Sequence, residues 1–337
     1  MKLTVPHDNG VNGVGAQVSA AQLPVVASAE VAGIGSLAVR DLLHGPHQAG
    51  QVLAVVQGML IVLFPGVARE PRVIAISAPD AIRLPNAIIA GIPTGILTVT
   101  APAASVASSG TGAAVKAART TKAIRPADSA EAGGGWVRVG GLSVQARRWW
   151  DPSPVFGPLS SGRLDKGAAV LSKACRQAVP GPSLADHDAT IALAARCANG
   201  DLAGAVEQAE GLVGLGAGIV PAGDSVLCGL LLALRLLGGA IAGGSRAVWL
   251  ADWLSAAVTS YASERTTPLA ASLLHCAARG QAAAEVVAVL HGVAGEDPVE
   301  PAARRLLTVR AAAALGAADL AWGMVAGCRA AQALSVS

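Results

Sequence analysis

The stretch from Ser225 to Leu237 is apolar on every side, and Arg235 is its one charged residue. A helix with a single apolar stripe can lie on a surface, but one that is apolar all round has to be enclosed by other elements. Enclosure by lipid is the competing solution. The two most hydrophobic runs, Val226 to Ile241 and Val52 to Val67, fall short of the roughly 20 residues that a bilayer helix needs, and they contain Arg235 and the pair Gln57 and Pro65. Both therefore read as buried core of a soluble protein with no membrane association. Apolar residues make up 53% of the chain against 14% charged. Much of that apolar content is alanine, which packs helices closely without building a lipid-facing surface.

The material for an enclosing shell changes character along the chain. Val52-Leu53-Ala54-Val55-Val56, Leu60-Ile61-Val62-Leu63 and Val73-Ile74-Ala75-Ile76 are β-branched and apolar, broken by Gly58 and Pro65-Gly66, and predict short strands. Trp136 to Val139 and Leu142 to Ala146 alternate around Gly140-Gly141, a two-residue linker that suits a hairpin turn. After Pro158 the pattern turns helical: Leu164 to Val179, Asp186 to Ala198, Leu202 to Leu212, Ser225 to Leu237, Arg246 to Ser263, a helix from Pro268 capped by Thr267 and ended by Gly280, then Pro301 to Ala314 and Leu315 to Leu334. The predicted fold class is α+β, with a mainly β half over residues 1–157 and a helix cluster over 158–337. Residues 101–135, rich in Ala, Ser, Gly and Thr, read as a mobile insertion, with a lid as the alternative. On the helix from Arg246, Trp249, Leu250, Trp253, Ala257 and Tyr261 recur at helical spacing and read as a core-packing stripe. The tryptophans of Arg147-Arg148-Trp149-Trp150 read as a strand end packed on the helical half.

Several function classes are disfavoured. Net charge is +3 and basic residues form no stripe, so nucleic acid gains no support. Five scattered cysteines without a C-x-x-C pair argue against zinc and against a disulfide framework, which suits a cytoplasmic protein. Met1 to Val14 lacks the apolar run of a secretory signal. The histidines show no H-E-x-x-H spacing and no G-x-S-x-G elbow occurs, so neither a metal nor a Ser-His-Asp triad is predicted.

Two segments could carry chemistry. Ahead of the apolar helix lies Gly211-Leu-Val-Gly214-Leu-Gly216-Ala-Gly218-Ile-Val-Pro221-Ala-Gly223-Asp224-Ser225. Glycines let backbone amides approach a ligand, and the unpaired amides at a helix start attract a carboxylate or phosphate. The dinucleotide pattern fails, because Ile219 or Pro221 stands where its third glycine belongs, and the P-loop pattern fails because Asp224 occupies the lysine position. A purely architectural reading stays open, with Asp224 capping the helix and the glycines permitting close packing. The second segment, Glu264-Arg265-Thr266-Thr267, gathers an acid, a base and two hydroxyls at a helix junction. Arginine can grip a planar carboxylate or carbamoyl group, while an internal Glu264 to Arg265 pair with Thr267 as cap is the architectural alternative.

Together these segments, with Leu273-Leu274 and Gly280 behind the second, resemble the AllH-like family, named for a subunit of oxamate carbamoyltransferase. The family's loop typically reads like G-L-G-P-G-L-T-P-S-G-D-D, and Gly214, Gly216, Gly218, Pro221, Gly223 and Asp224 stand at matching positions. Trp150-Asp151-Pro152 looks like a W-x-P element of the same family. The departures are Val220, Ala222 and Ser225 in place of Thr, Ser and a second Asp, and Gly316-Ala317-Ala318-Asp319 where the family often carries G-H-S-S-G-x-D. The resemblance implies a subunit of a carbamoyltransferase-like complex in purine-nitrogen (allantoin) catabolism, binding a small carboxylate or carbamoyl phosphate, without a cofactor and with other subunits as partners. It assigns Asp224 and Arg265 to the catalytic set, as organiser and anion clamp, and Gly214, Gly216, Gly218, Gly223, Ser225, Glu264, Thr266 and Thr267 to substrate binding. The departures point to the alternative, a non-catalytic scaffold or regulatory subunit that has lost activity. All of it requires that the glycine turn and Arg265 share one cavity.

Overall fold

The computed structural model describes residues 29–67, 69–91, 124–178 and 183–336. In its first half, β1 (Ala29–Ser36), β2 (Gln48–Val56), β3 (Met59–Val67), β4 (Glu70–Ser77), β5 (Ala87–Ala90), β6 (Ser129–Gly133), β7 (Trp136–Val139) and β8 (Leu142–Trp150) close into a barrel in the order β1-β5-β4-β3-β2-β6-β7-β8. The closing pair β1–β8 and the pair β4–β5 are parallel, and the remaining neighbours are antiparallel. A short helix, α1 (Arg40–His44), follows β1 and buries Leu42 and Leu43 against the barrel interior.

Strands β3 and β4 show why their sequences run apolar without alternation. Leu60, Val62 and Phe64 of β3, with Ile74 and Ile76 of β4, point into the barrel core. Met59, Ile61, Val73 and Ala75 point the other way and join the apolar cluster of the helical half. A strand covered on both faces carries hydrophobic residues at every position. These two strands are thus the seam between the halves.

The second half comprises α2 (Ser161–Ala178), α3 (Asp188–Ala198), α4 (Leu202–Leu212), α5 (Ala222–Leu232), α6 (Gly238–Ala240), α7 (Ser245–Arg265), α8 (Pro268–Ala278), α9 (Ala284–Val293), α10 (Val299–Thr308) and α11 (Ala317–Val336). A π-helical turn, Ala233–Leu237, joins α5 to α6. Every residue of α5 from Gly223 to Leu232 is buried. The run Ala222–Ala240 is long and apolar enough to cross a membrane by composition, but 78% of its most apolar window is buried inside the protein. Of the acidic and basic residues in that run, Asp224 is buried and Arg235 pairs with Asp252 of α7. The protein is α+β, a barrel packed on a helix cluster.

Several elements depart from the sequence reading. Residues 129–133, inside the stretch read as an insertion, form β6, which pairs with both β2 and β7. Ser-Ala-Glu-Ala-Gly contains no β-branched residue, and only burial of Ala130 and Ala132 in the barrel makes it a strand. The part of that stretch up to residue 123, and Met1 to Val14, lie outside the described residues. Strands β1 and β5 and helix α9 were not legible, because glycine and alanine blur the first pattern and the others are short. The aromatic stripe of α7 is not core: Trp249 and Trp253 are each 52% exposed and Tyr261 is 47% exposed. Leu250, also of that stripe, does turn inward, together with Ala251, Leu254, Val258 and Ala262. Trp149 packs on its own half, with its ring 5.3 Å from that of His44 and the Arg40 guanidinium 5.8 Å from the ring centre.

Helices α5 and α11 approach closely enough to need glycine at the crossing. A Cβ at Gly323 would lie 2.1 Å from the Val226 carbonyl oxygen, and one at Gly229 would lie 2.0 Å from that of Leu320. Gly323→Ala would gain about 1 kcal/mol of helix propensity but incur about 1–3 kcal/mol of overpacking. The clashing atom is backbone and cannot rotate away, so the upper end of that cost applies. Urea denaturation of Gly323→Ala is expected to show a lowered midpoint with an unchanged slope.

Candidate functional site

The glycine-rich loop is shaped by two close approaches. Gly214, at φ 76°, lies so near the chain leaving α7 that a Cβ would stand 2.1 Å from the Arg265 carbonyl oxygen. A Cβ at Gly223 would stand 2.1 Å from the Leu212 carbonyl oxygen. The loop from α4 to α5 is therefore pressed on both flanks, and only Gly216, Ala217 and Gly218 remain exposed at its tip.

Asp224, in the first turn of α5, is fully buried. Its Oδ1 accepts from the Gly214 N–H at 3.1 Å and its Oδ2 accepts from the Thr266 hydroxyl at 2.5 Å. One carboxyl group thus joins the loop, the start of α5 and the end of α7. Burial raises its pKa above the ordinary carboxylate value, and the bonds from Thr266 and Gly214 oppose that shift only in part. Next to it, the Thr267 hydroxyl donates to the Ile219 carbonyl at 2.6 Å and accepts from the Ala270 N–H at 3.1 Å, capping α8. The Ser225 hydroxyl, also buried, faces the carbonyls of Pro221 and Leu315 at 3.3 and 3.4 Å. Gly316, which begins the segment ending in Asp319, closes over that hydroxyl, and Asp319 accepts from the Ser183 hydroxyl and the Leu184 N–H at 2.9 and 2.7 Å.

The two segments singled out in the sequence do come together, but their chemistry is divided differently from the sequence reading. Asp224 has no exposed surface, and both its oxygens are engaged within the protein. The Gly214 amide is bound to Asp224, and the Gly223 amide donates to the Leu215 carbonyl at 2.9 Å. Thr266, Thr267 and Ser225 likewise use their hydroxyls inside the protein. Two glycine amides are left over: those of Gly216 and Gly218, on the exposed tip, donate to no described group. The Glu264 and Arg265 side chains are exposed and form neither the internal pair nor any other side-chain hydrogen bond among the described residues. Gly216, Gly218, Glu264 and Arg265 do not line the cavity behind the loop. The space behind the loop, bounded by Val220, Ser225 and Cys228, is apolar and holds about 40 Å³, room for a water and not for an organic anion.

A polar cluster on the barrel–helix seam escaped the sequence reading. Arg279, at the end of α8, grips Glu70 of β4 through both nitrogens at 3.0 and 2.7 Å. Burial pushes the Glu70 pKa up, but the Arg279 bond and charge outweigh it and hold the carboxyl below its ordinary value. His275 lies 3.8 Å from the same carboxylate, and burial lowers its pKa. Glu70 and Arg279 are 209 positions apart, and no local spacing announces a pair that only the packing of α8 on β4 creates.

Fold and site together define an α+β protein whose central buried helix opens from a glycine turn clamped by a buried carboxyl group. Residues 212–328, from the end of α4 into α11, match the model of the family described as Oxamate carbamoyltransferase subunit AllH. That stretch is AllH-like; the match covers about a third of the chain and does not reach the barrel or Trp150-Asp151-Pro152. No curated protein matches the chain, and no solved structure does.

Two outcomes follow for Asp224. Asp224→Ala orphans the Gly214 N–H and the Thr266 hydroxyl and is expected to lower stability by about 1–3 kcal/mol, read by urea denaturation. The folded-state pKa lies above the unfolded one, so this group supports folding fully below the unfolded value, near 3.9, and that support fades as pH rises through the raised value. Asp224→Asn, which keeps the acceptor for Gly214, is expected to flatten that part of the stability profile as pH rises from about 4 through the raised value.

Proposed function

We propose that this chain is a cytoplasmic subunit of an oxamate carbamoyltransferase-like complex, and that the tip Gly216–Gly218 with Arg265 is its contribution to a site for carbamoyl phosphate or a related small anion. The observation that carries this reading is the pair of unengaged tip amides on a loop that the Asp224 clamp ties to the end of α7, where Arg265 carries an unpartnered guanidinium. The matching family's description supports the transferase context, and the resemblance of the loop supports a place in allantoin catabolism. In carbamoyl transfer a nucleophile attacks the carbamoyl carbon, charge collects on its oxygen, and phosphate departs. Amides and a guanidinium fixed toward that oxygen and the phosphate lower the barrier. Because the tip is exposed, a partner subunit would supply the opposite wall and exclude water.

One observation favours the second reading, a scaffold or regulatory subunit without activity: the Asp224 carboxyl group and the hydroxyls of Ser225, Thr266 and Thr267 are engaged internally. The readings separate by calorimetry with carbamoyl phosphate on the chain together with the subunits that co-purify with it. The proposal expects Arg265→Ala to weaken binding at least tenfold, about 1.4 kcal/mol. Binding unchanged by the substitution, or no binding in the assembled complex, would leave the scaffold reading standing.

A further inference from the structure

The exposed tryptophan, tyrosine and phenylalanine side chains among the described residues are Trp249, Trp253 and Tyr261, and all of them lie on α7. A single exposed ring would mean little, but Trp249 and Trp253 already pack edge to face, with 6.1 Å between ring centres. With Ala257 and Tyr261 they occupy about a third of the helix circumference, as 3.6 residues per turn dictates. Opposite charges close this stripe. Arg246 and Glu264 stand about five whole turns apart and therefore on the same face, both exposed, neither side chain bonded to another described group. At the Arg246 end the surface opens into a recess of about 380 Å³, lined by Gly200, Ser245, Arg246, Trp249, Leu250 and Leu334. At the Glu264 end stands the Tyr261 ring.

A face with a base and a recess at one end, and an acid and a ring at the other, complements itself when turned end for end. Antiparallel pairing about a twofold axis sets Arg246 against the Glu264 of a second copy and brings Tyr261 to that copy's recess, at both ends at once. The same operation brings Trp253 against Ala257, whose small side chain leaves room for a ring. Parallel pairing would set like charge on like charge. We propose that α7 is the contact face of a twofold homodimer of this chain, with Trp253 beside the axis. A covered aromatic ring buries about 150–250 Å², so half-exposed rings contribute roughly 100 Å² each and the rings of two copies roughly 600 Å². That is about half of the roughly 1,200 Å² at which stable interfaces begin, and Arg246, Glu264 and the recess walls extend the contact. The stripe includes neither the glycine turn nor Arg265, so it goes beyond the loop reading.

Sedimentation equilibrium of the full chain, from about 1 to about 100 μM, tests it and is expected to show a species of twice the chain mass. Trp253→Glu, on a half-exposed side chain whose change leaves the circular dichroism spectrum intact, is expected to weaken the dimer at least tenfold. Arg246→Glu and Glu264→Arg, each alone, set two like-charged pairs into the dimer and are expected to weaken it about fivefold. Combined in one chain they re-form both pairs with signs reversed, and the dimer is expected to return to within about twofold of the unsubstituted strength. Damage to the fold could not produce that recovery. A monomer at every concentration, including one that associates only with a different subunit, would overturn the proposal. So would a dimer that tolerates Trp253→Glu, or a double variant no tighter than the single ones. Carbamoyl phosphate binding at the turn is a separate measurement, and its failure would leave this result untouched.

Discussion

A carboxyl group without solvent, at the head of a helix apolar on every side, has to be answered by donors from the surrounding chain. Asp224 is that group, and its two donors come from either side of it in sequence: Gly214 ten residues before and Thr266 forty-two after. An unpaired buried carboxylate would cost several kcal/mol, about as much as many domains have in total stability. The loop, the start of α5 and the junction of α7 with α8 are thus bound into one unit by a single side chain. The Thr267 hydroxyl on the Ile219 carbonyl adds a second tie between the same segments. That unit holds the Gly216–Gly218 tip in a fixed place while leaving it open.

The same economy of contacts operates at the seam. Strands β3 and β4 are wedged between two apolar interiors, so the barrel and the helix cluster share a wall. Polar groups at its edges must find partners across it, as Arg83 does with the buried Glu285 of α9, through a backbone N–H bond of 2.9 Å and a guanidinium contact of 3.2 Å. Glu70 with Arg279 is the equivalent tie on the other side.

Legibility followed the range of the interaction concerned. Helix α4 was readable to the residue, because Asp201 before it and a periodic apolar face within it are local signals. The Thr267 cap and Pro268 start of α8 were readable for the same reason. Strand β6 was not, since Ala130 and Ala132 become strand residues only by filling a closed barrel. The aromatic spacing on α7 was readable, but which side of the helix faced the core was not, because that depends on what packs against it.

By itself the amino-acid sequence determined the α+β division, the burial of the helix after Asp224, and the two segments that would matter around it, since each rests on apolar periodicity and on glycine and cap chemistry within a few residues. The tertiary structure decided that the eight strands close, that the Trp249 and Trp253 rings face outward, and that Asp224, Thr266, Thr267 and Ser225 hold the architecture and leave the tip amides and Arg265 free. It also decided that Glu70 meets Arg279. The physical reason is that hydrogen-bond capacity is finite: a list of polar residues shows what could bind a ligand, and only the folded neighbourhood shows which of those groups the protein has already used.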